Sequence, residues 1–207
     1  MRIAIIGTGN VGTSLAAAAV TAGHQVVVTA AHPENAEKVA AETGATAAAT
    51  PADAAREAEV VVLAVPAAAA ADVIRNLGDT RAVVVDATNP LDETFSELTT
   101  NGTSQAELLA AAAPGTRVVK AFNTILAARL TAPEVDGRPL DGYLAGDDDA
   151  AKATVAELVT SLGFRAIDAG GLRMARSLEE LALLNITLNA RNGWSWQTGW
   201  SLAGPTN

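Results

Sequence analysis

The chain has 207 residues, 49% of them hydrophobic, 18% charged and only 3% aromatic. That composition describes a folded globular protein with a core of Ala, Val, Leu and Ile. A net charge of −9 with no basic block argues against nucleic acid or an anionic membrane as partner. With no Cys and only His24 and His32, thiolate chemistry is excluded and a zinc site has little to draw on.

The apolar run Ile3-Ala4-Ile5-Ile6 is too short for a signal peptide and breaks into a Gly-rich turn. No stretch has the length of a membrane span, so the chain reads as soluble and cytoplasmic. A strand is predicted over 2–6 and a helix over 11–22, stopped by Gly23. The triple Val marks a strand at 25–29, and Pro33 opens a helix to 42. A short strand at 46–49 and a short helix at 51–57 follow. Next come a strand at 60–65 closed by Pro66, a helix at 67–77, and a strand at 82–86 running into Thr88-Asn89-Pro90. A polar loop spans 91–101. A helix at 104–113 leads to a sixth strand at 117–120, and a Pro/Gly/Asp excursion occupies 132–139. Strands at 142–145 and 165–168 flank a helix at 148–162, and a last helix runs over 172–191. Strand-helix alternation of this kind predicts a mostly parallel, doubly wound α/β sheet of Rossmann type. The division falls between a dinucleotide-binding part, 1–169, and a small C-terminal helix with a Trp-rich tail, 170–207.

The segment Gly7-Thr8-Gly9-Asn10-Val11-Gly12 follows a predicted strand and opens a predicted helix, the context that gives G-x-G-x-x-G its meaning. Gly7 permits the tight turn, Gly9 lets a pyrophosphate approach the backbone, and Gly12 allows close packing of the helix. The free amides at the helix N-terminus favour an anion. At the end of the second strand an NAD enzyme usually has Asp or Glu. Here Thr29-Ala30-Ala31-His32 offers neither that acid nor an Arg. Thr29 and His32 are the candidate contacts to the adenosine ribose. Lys38 reaches it only if helix geometry brings it round. Val65, Pro66, Asn89 and Ala121 end strands on the same edge and are candidate nicotinamide-side walls. Lys120 is a candidate catalytic group, but a lysine closing a strand is more often solvated. Asn123 is the better candidate to orient a reacting group, because its amide does not titrate. Asp147-Asp148-Asp149 reads as a helix start rather than a metal site. The tail carries Trp194, Trp196 and Trp200, as a dimer contact or the lining of a second ligand site.

Together these segments resemble the NADP oxidoreductase family whose founding members reduce the deazaflavin coenzyme F420. The blocks are GTGNVG at 7–12, AGH at 22–24, VVLAVP at 61–66, VVDATNPL at 84–91, VVKAFNT at 118–124, AGDDDAAK at 145–152 and GGLRMARSLEELA at 170–182. A related arrangement occurs in the oxidoreductase domain of the STEAP metalloreductases, where the acceptor is a flavin. The resemblance implies a homodimer that passes hydride between nicotinamide C4 and deazaflavin C5. The cofactors carry that chemistry and the protein positions them, so no catalytic acid or base is expected. NADP users in the family have Ser-Arg, often with a second Arg, after the second strand. Ala30-Ala31-His32 departs from this and leaves NAD open as a cofactor. The archaeal enzymes have His at the position of Asn123, and Ser and Thr near Glu180 and Ala182, while their Arg is kept as Arg176. The expected activity is hydride transfer between NADP(H) and F420 or a flavin. The alternatives are an NAD(P)H-dependent reductase of an imine or enol, and a nucleotide-sensing protein without turnover.

Overall fold

The computed structural model describes residues 1–78 and 80–204. The last three residues of the tail expected at 170–207 lie outside them. Eight strands form one sheet: β1 (Arg2–Ile6), β2 (Gln25–Thr29), β3 (Thr46–Ala47), β4 (Val60–Leu63), β5 (Val83–Asp86), β6 (Val118–Ala121), β9 (Asp141–Gly146) and β10 (Arg165–Asp168). Their order is β10-β9-β6-β5-β4-β1-β2-β3. The pairings are parallel except β6 with β9. The sheet is Rossmann-like, and the chain reverses its direction of travel between β1 and β4, where such folds bind ligands.

Central strands are buried on both faces, which accounts for their unbroken Val and Ile runs. Along β1, Ile3 and Ile5 face one core with Leu15 of α1 (Asn10–Thr21) and Val155 of α7 (Asp149–Ser161). Ala4 and Ile6 face the other, with Ile74 of α4 (Ala67–Arg75) and Leu109 of α5 (Gln105–Ala112). On the first side α2 (Pro33–Thr43) also packs, and the short α3 (Pro51–Ala55) packs on the second.

Several boundaries differ from expectation. The third strand is two residues long, and α3 and α4 stop two residues early. A short helix, α6 (Ala127–Leu130), lies where no element was expected. The excursion at 132–139 contains a hairpin of β7 (Glu134–Val135) and β8 (Arg138–Pro139). Its turn is Asp136-Gly137, both at positive φ, the pairing that two-residue hairpin turns select. The final helix begins as a 3-10 turn, Leu172–Met174, and continues as α8 (Ala175–Asn192). The acidic run serves as helix capping: Asp148 Oδ1 accepts from Ala151 N at 2.8 Å, and Asp147 Oδ1 from Leu172 N at 2.7 Å.

Lys120 departs from its expectation most. It is fully buried, and its ammonium reaches Asp86 Oδ2 at 2.9 Å, Glu179 Oε1 at 2.7 Å and the Thr88 carbonyl at 2.7 Å. Three donors thus meet three acceptors, joining β5, β6 and α8. Burial holds the Glu179 carboxyl above its ordinary range despite the ammonium beside it. Asp86 Oδ1 also receives Thr88 N and Oγ1, at 3.0 and 2.7 Å. A second clamp is the bidentate pair of Arg176 with Glu107, at 2.8 and 2.7 Å, which ties α8 to α5. The tail folds back on its own chain: Asp141 N donates to the Trp200 carbonyl at 2.9 Å, and Leu202 N to Asp141 Oδ2 at 2.6 Å.

Lys120→Met removes the cation and leaves two buried carboxylates facing each other, so unfolding free energy should fall by about 3–5 kcal/mol. Urea denaturation measures this, and an unmoved midpoint would show that the carboxylates find other partners. Arg176 and Ser104 hold the Glu107 carboxyl down at about 2. A folded pKa below the unfolded one stabilises above the ordinary carboxylate range, and the contribution is lost as pH falls toward about 2. Glu107→Gln should therefore lower the urea midpoint near neutral pH, with the gap to the parent closing as pH falls through about 2. A constant gap across that range would mean the ion pair is not its source.

Candidate functional site

The Gly-rich loop leaves β1 and enters α1. Gly7 has φ +111°, and its N–H donates to the Thr29 carbonyl at 2.8 Å. A Cβ on Gly7 would stand 2.2 Å from the Ala64 carbonyl oxygen and 3.2 Å from Val65 Cγ1. A Cβ on Gly12 would stand 2.0 Å from the Gly7 carbonyl oxygen. These two glycines hold the loop against itself and against the chain following β4. Gly9 differs: a Cβ there meets nothing within 4 Å, and its φ of −73° suits any residue. What Gly9 keeps clear is space outside the protein. Gly9 caps α1 without a side chain, and no acid stands in the first turn. The first-turn amides therefore meet an approaching anion with no carboxylate in that turn to oppose it.

That space belongs to a cleft of about 1240 Å³, above the ~300–1,000 Å³ of an ordinary small-molecule site. Thr8, Gly9, Asn10 and Val11 line one side of it, and Ile186 and Trp196 are among the residues of the other. Lys38 also lines the cleft, its Nζ 4.0 Å from Glu42 Oε1. A second, smaller pocket of about 130 Å³ adjoins through Val11, Leu126, Ala127 and Ile186, which line both. Asn89, Asn123, Thr124 and Asn185 are its polar residues.

The candidate residues fall into groups. Thr8 to Val11 lie in the cleft, Asn89 and Asn123 in the pocket, and Val65 beside Gly7. Pro66 is exposed and caps α4. Ala121 is fully buried and lines neither cavity. Thr29 is 1% exposed and its hydroxyl has no partner among the described residues; it serves the loop through its carbonyl. His32 is exposed at the start of α2, with Nδ1 3.8 Å from Glu34. His24 is a structural tie, its Nε2 2.7 Å from Ser161 Oγ.

Phe122 adopts a left-handed φ of +65° at the end of β6, a costly conformation for a bulky residue. It buries its ring while the chain turns to bring Asn123 to the pocket. Asn123 Nδ2 donates to Asn89 Oδ1 and to the Leu178 carbonyl, each at 3.0 Å, and Asn89 Nδ2 donates back to the Asn123 carbonyl at 2.9 Å. The pocket is thus tied to α8, which Lys120 also holds. Sequence reading missed the contributions of Asn185, of α6 and of Phe95 in the 91–101 loop. A polar residue recurring on the apolar face of the last helix was the available signal for Asn185.

The family described as NADP oxidoreductase, coenzyme F420-dependent, matches residues 2–90. The F420-dependent NADP reductase of Methanothermobacter thermautotrophicus is 35% identical, with 93% of this chain and 90% of that protein covered. Metalloreductase STEAP3 of Rattus norvegicus is 39% identical over 49% of this chain and 20% of its own length. A crystal structure of a candidate F420-dependent NADP-reductase from Arthrobacter sp. FB24 superposes with a TM-score of 0.86. It is 31% identical and covers 98% of this chain and all of that one.

The two loop glycines should separate in stability. Gly9→Ala should leave the melting midpoint unchanged, whereas Gly12→Ala, whose Cβ meets backbone, should lower it by several degrees, on the order of 1–3 kcal/mol of overpacking. Thermal unfolding followed by circular dichroism decides this. Equal midpoints would mean that the loop yields at Gly12.

Proposed function

The chain belongs to the coenzyme F420-dependent NADP oxidoreductase family, and from this we propose that it transfers hydride between NADP(H) and F420 or a flavin. The observation that carries the reading is the meeting of the two cavities at Val11, in the first turn of α1. A dinucleotide laid along Gly7, Thr8, Gly9, Asn10, Val11 and Gly12 would present its ring end to Asn89 and Asn123. Open space at Gly9 and free first-turn amides fit a pyrophosphate. When bound, the nicotinamide and the acceptor ring supply hydride donor and acceptor. The chain's own work is to hold the phosphates, align the two rings and exclude water. His32, in the turn that follows Thr29, would border the adenosine ribose. Val65 and Pro66 would border the nicotinamide.

The side chains facing the small pocket are amides, a hydroxyl and apolar groups. With no carboxyl, imidazole, ammonium or phenol among its lining residues, the pocket supports transfer between rings over the imine or enol reaction, which needs an acid there. Residues 170–207 are proposed as the acceptor-side part. A cytoplasmic homodimer is proposed as the working form. Trp194 and Trp196 at 46% exposure and Leu184 at 48% support a partner on this face.

Oxidation of NADPH and of NADH, each followed with F420, FMN and FAD in turn, tests the reading. Turnover with at least one is expected, and none with all three would refute it. Gly9→Ala should weaken NADPH at least tenfold, about 1.4 kcal/mol, in calorimetric titration. Preference for NADP over NAD should be blunt, because the bidentate Arg–phosphate contact worth about 1.5–3 kcal/mol is missing. Ala31 is exposed, so Ala31→Arg should raise NADP affinity roughly tenfold more than NAD affinity. No gain would place the 2′-phosphate elsewhere.

A further inference from the structure

Three polar atoms in the small pocket's walls are buried without a partner among the described residues: Asn123 Oδ1, Thr124 Oγ1 and Asn185 Nδ2. Their residues are 5%, 3% and 4% exposed. Orphaned buried groups are costly and rare in a native protein, and three around one cavity mark a place made for a polar ligand.

The chemistry of each amide follows from its neighbours. Asn123 must turn its nitrogen to the Leu178 carbonyl, which leaves Oδ1 as a free acceptor. Asn189 must likewise turn its nitrogen to the Asn185 main-chain carbonyl, at 2.9 Å. That nitrogen also lies 3.0 Å from the Asn185 side chain, whose atom there must be the oxygen. Thr198 Oγ1 donates to the same oxygen at 2.6 Å and is itself 2.6 Å from Asn189 Nδ2. Asn185 is left with its NH2 free. The two amides therefore offer the pocket one acceptor and one donor, the complement of an amide edge, and the Thr124 hydroxyl can act as either.

An amide edge could come from the nicotinamide carboxamide or from the dione ring of a flavin or deazaflavin. The volume of about 130 Å³ matches roughly four waters at ~30 Å³ each, room for one small ring and not for a tricycle. Val11 walls it at the phosphate end of the site. We propose that Asn185 is a binding residue that donates to the nicotinamide carboxamide oxygen, and that Thr198 of the tail is a positioning residue that fixes the direction of this donor. This rests on the nucleotide reading above. It gives the tail a role in ligand recognition within its own subunit.

The test compares NADP with 2′-phospho-ADP-ribose, the same nucleotide without its nicotinamide, by calorimetric titration of the full chain. Asn185→Leu and Thr198→Val should each weaken NADP roughly two- to tenfold, the loss of one hydrogen bond. Both should leave the fragment's affinity unchanged, and Thr198→Ser should bind NADP as the parent does. Thr198→Val leaves Asn185 in place and decides the matter alone if Asn185→Leu fails to fold. Equal losses for both ligands, or none for NADP, would overturn the proposal. So would unchanged NADP binding with a raised KM for the acceptor, which would move the contact to the tricycle. Failure of the parent protein to bind the fragment would instead overturn the nucleotide reading.

Discussion

A single buried ammonium holds the site's two halves together. Lys120 sits at the end of β6, and its three partners come from β5, from the turn after β5 and from α8. Removing two carboxylates and an ammonium from water costs several kcal/mol per ion, and such a cluster often contributes no more than well-packed apolar groups would. What it adds is directional. An apolar contact would let α8 slide along the sheet, whereas three charge-assisted bonds of 2.7–2.9 Å admit one register. The Thr88 carbonyl is fixed next to Asn89, and Glu179 next to Leu178, whose carbonyl holds Asn123. The amides of the pocket are thus placed by an ion cluster whose three charged residues line neither cavity.

This dependence explains which parts were legible from sequence. Strand β2 and the loop at 7–12 were readable because local rules determine them: a β-branched run in one case, glycines with steric duties in the other. The doubly wound architecture followed from the alternation of such segments. Lys120 was not readable, because a lysine at a strand end is ordinarily solvated, and its partners lie 32, 34 and 59 residues away. Glu179 carried the same ambiguity on a helix rich in charge. The fragments α6, β7 and β8 are two to four residues long, too short for periodicity to register. Even so, Asp136-Gly137 was a local turn signal within a segment read only as an excursion.

An acidic chain that binds an anionic nucleotide is not a contradiction. The attraction is placed where the phosphates would lie, at the first turn of α1, and consists of backbone amides that require no lysine. The absence of acids in that turn matters more than the net charge of −9, because screening removes most of the distant field. The cost appears at the adenosine end, where neither the acid of an NAD site nor the arginine of an NADP site follows β2. Near that end His32 and Lys38 each stand beside a glutamate, Glu34 and Glu42.

The tail joins the same chain of dependence from the other side. Asp141, fully buried at the start of β9, accepts from Arg165 Nε at 2.6 Å and from Leu202 N at 2.6 Å. Arg165 in turn donates to the Leu202 carbonyl at 2.7 Å. The segment after α8 is therefore clamped to the far edge of the sheet. Gly199 permits this close approach: a Cβ there would stand 2.5 Å from Leu140 Cδ1. With its end held at the sheet edge and its start held by α8, the intervening Thr198 has little freedom, and its hydroxyl falls between Asn185 and Asn189. Exposed Trp194 and Trp196 lie on the same segment, so a partner subunit seated on them would bear on the direction of the Asn185 amide. Assembly and ring alignment would then be coupled through one threonine rather than through any shift of the Rossmann sheet.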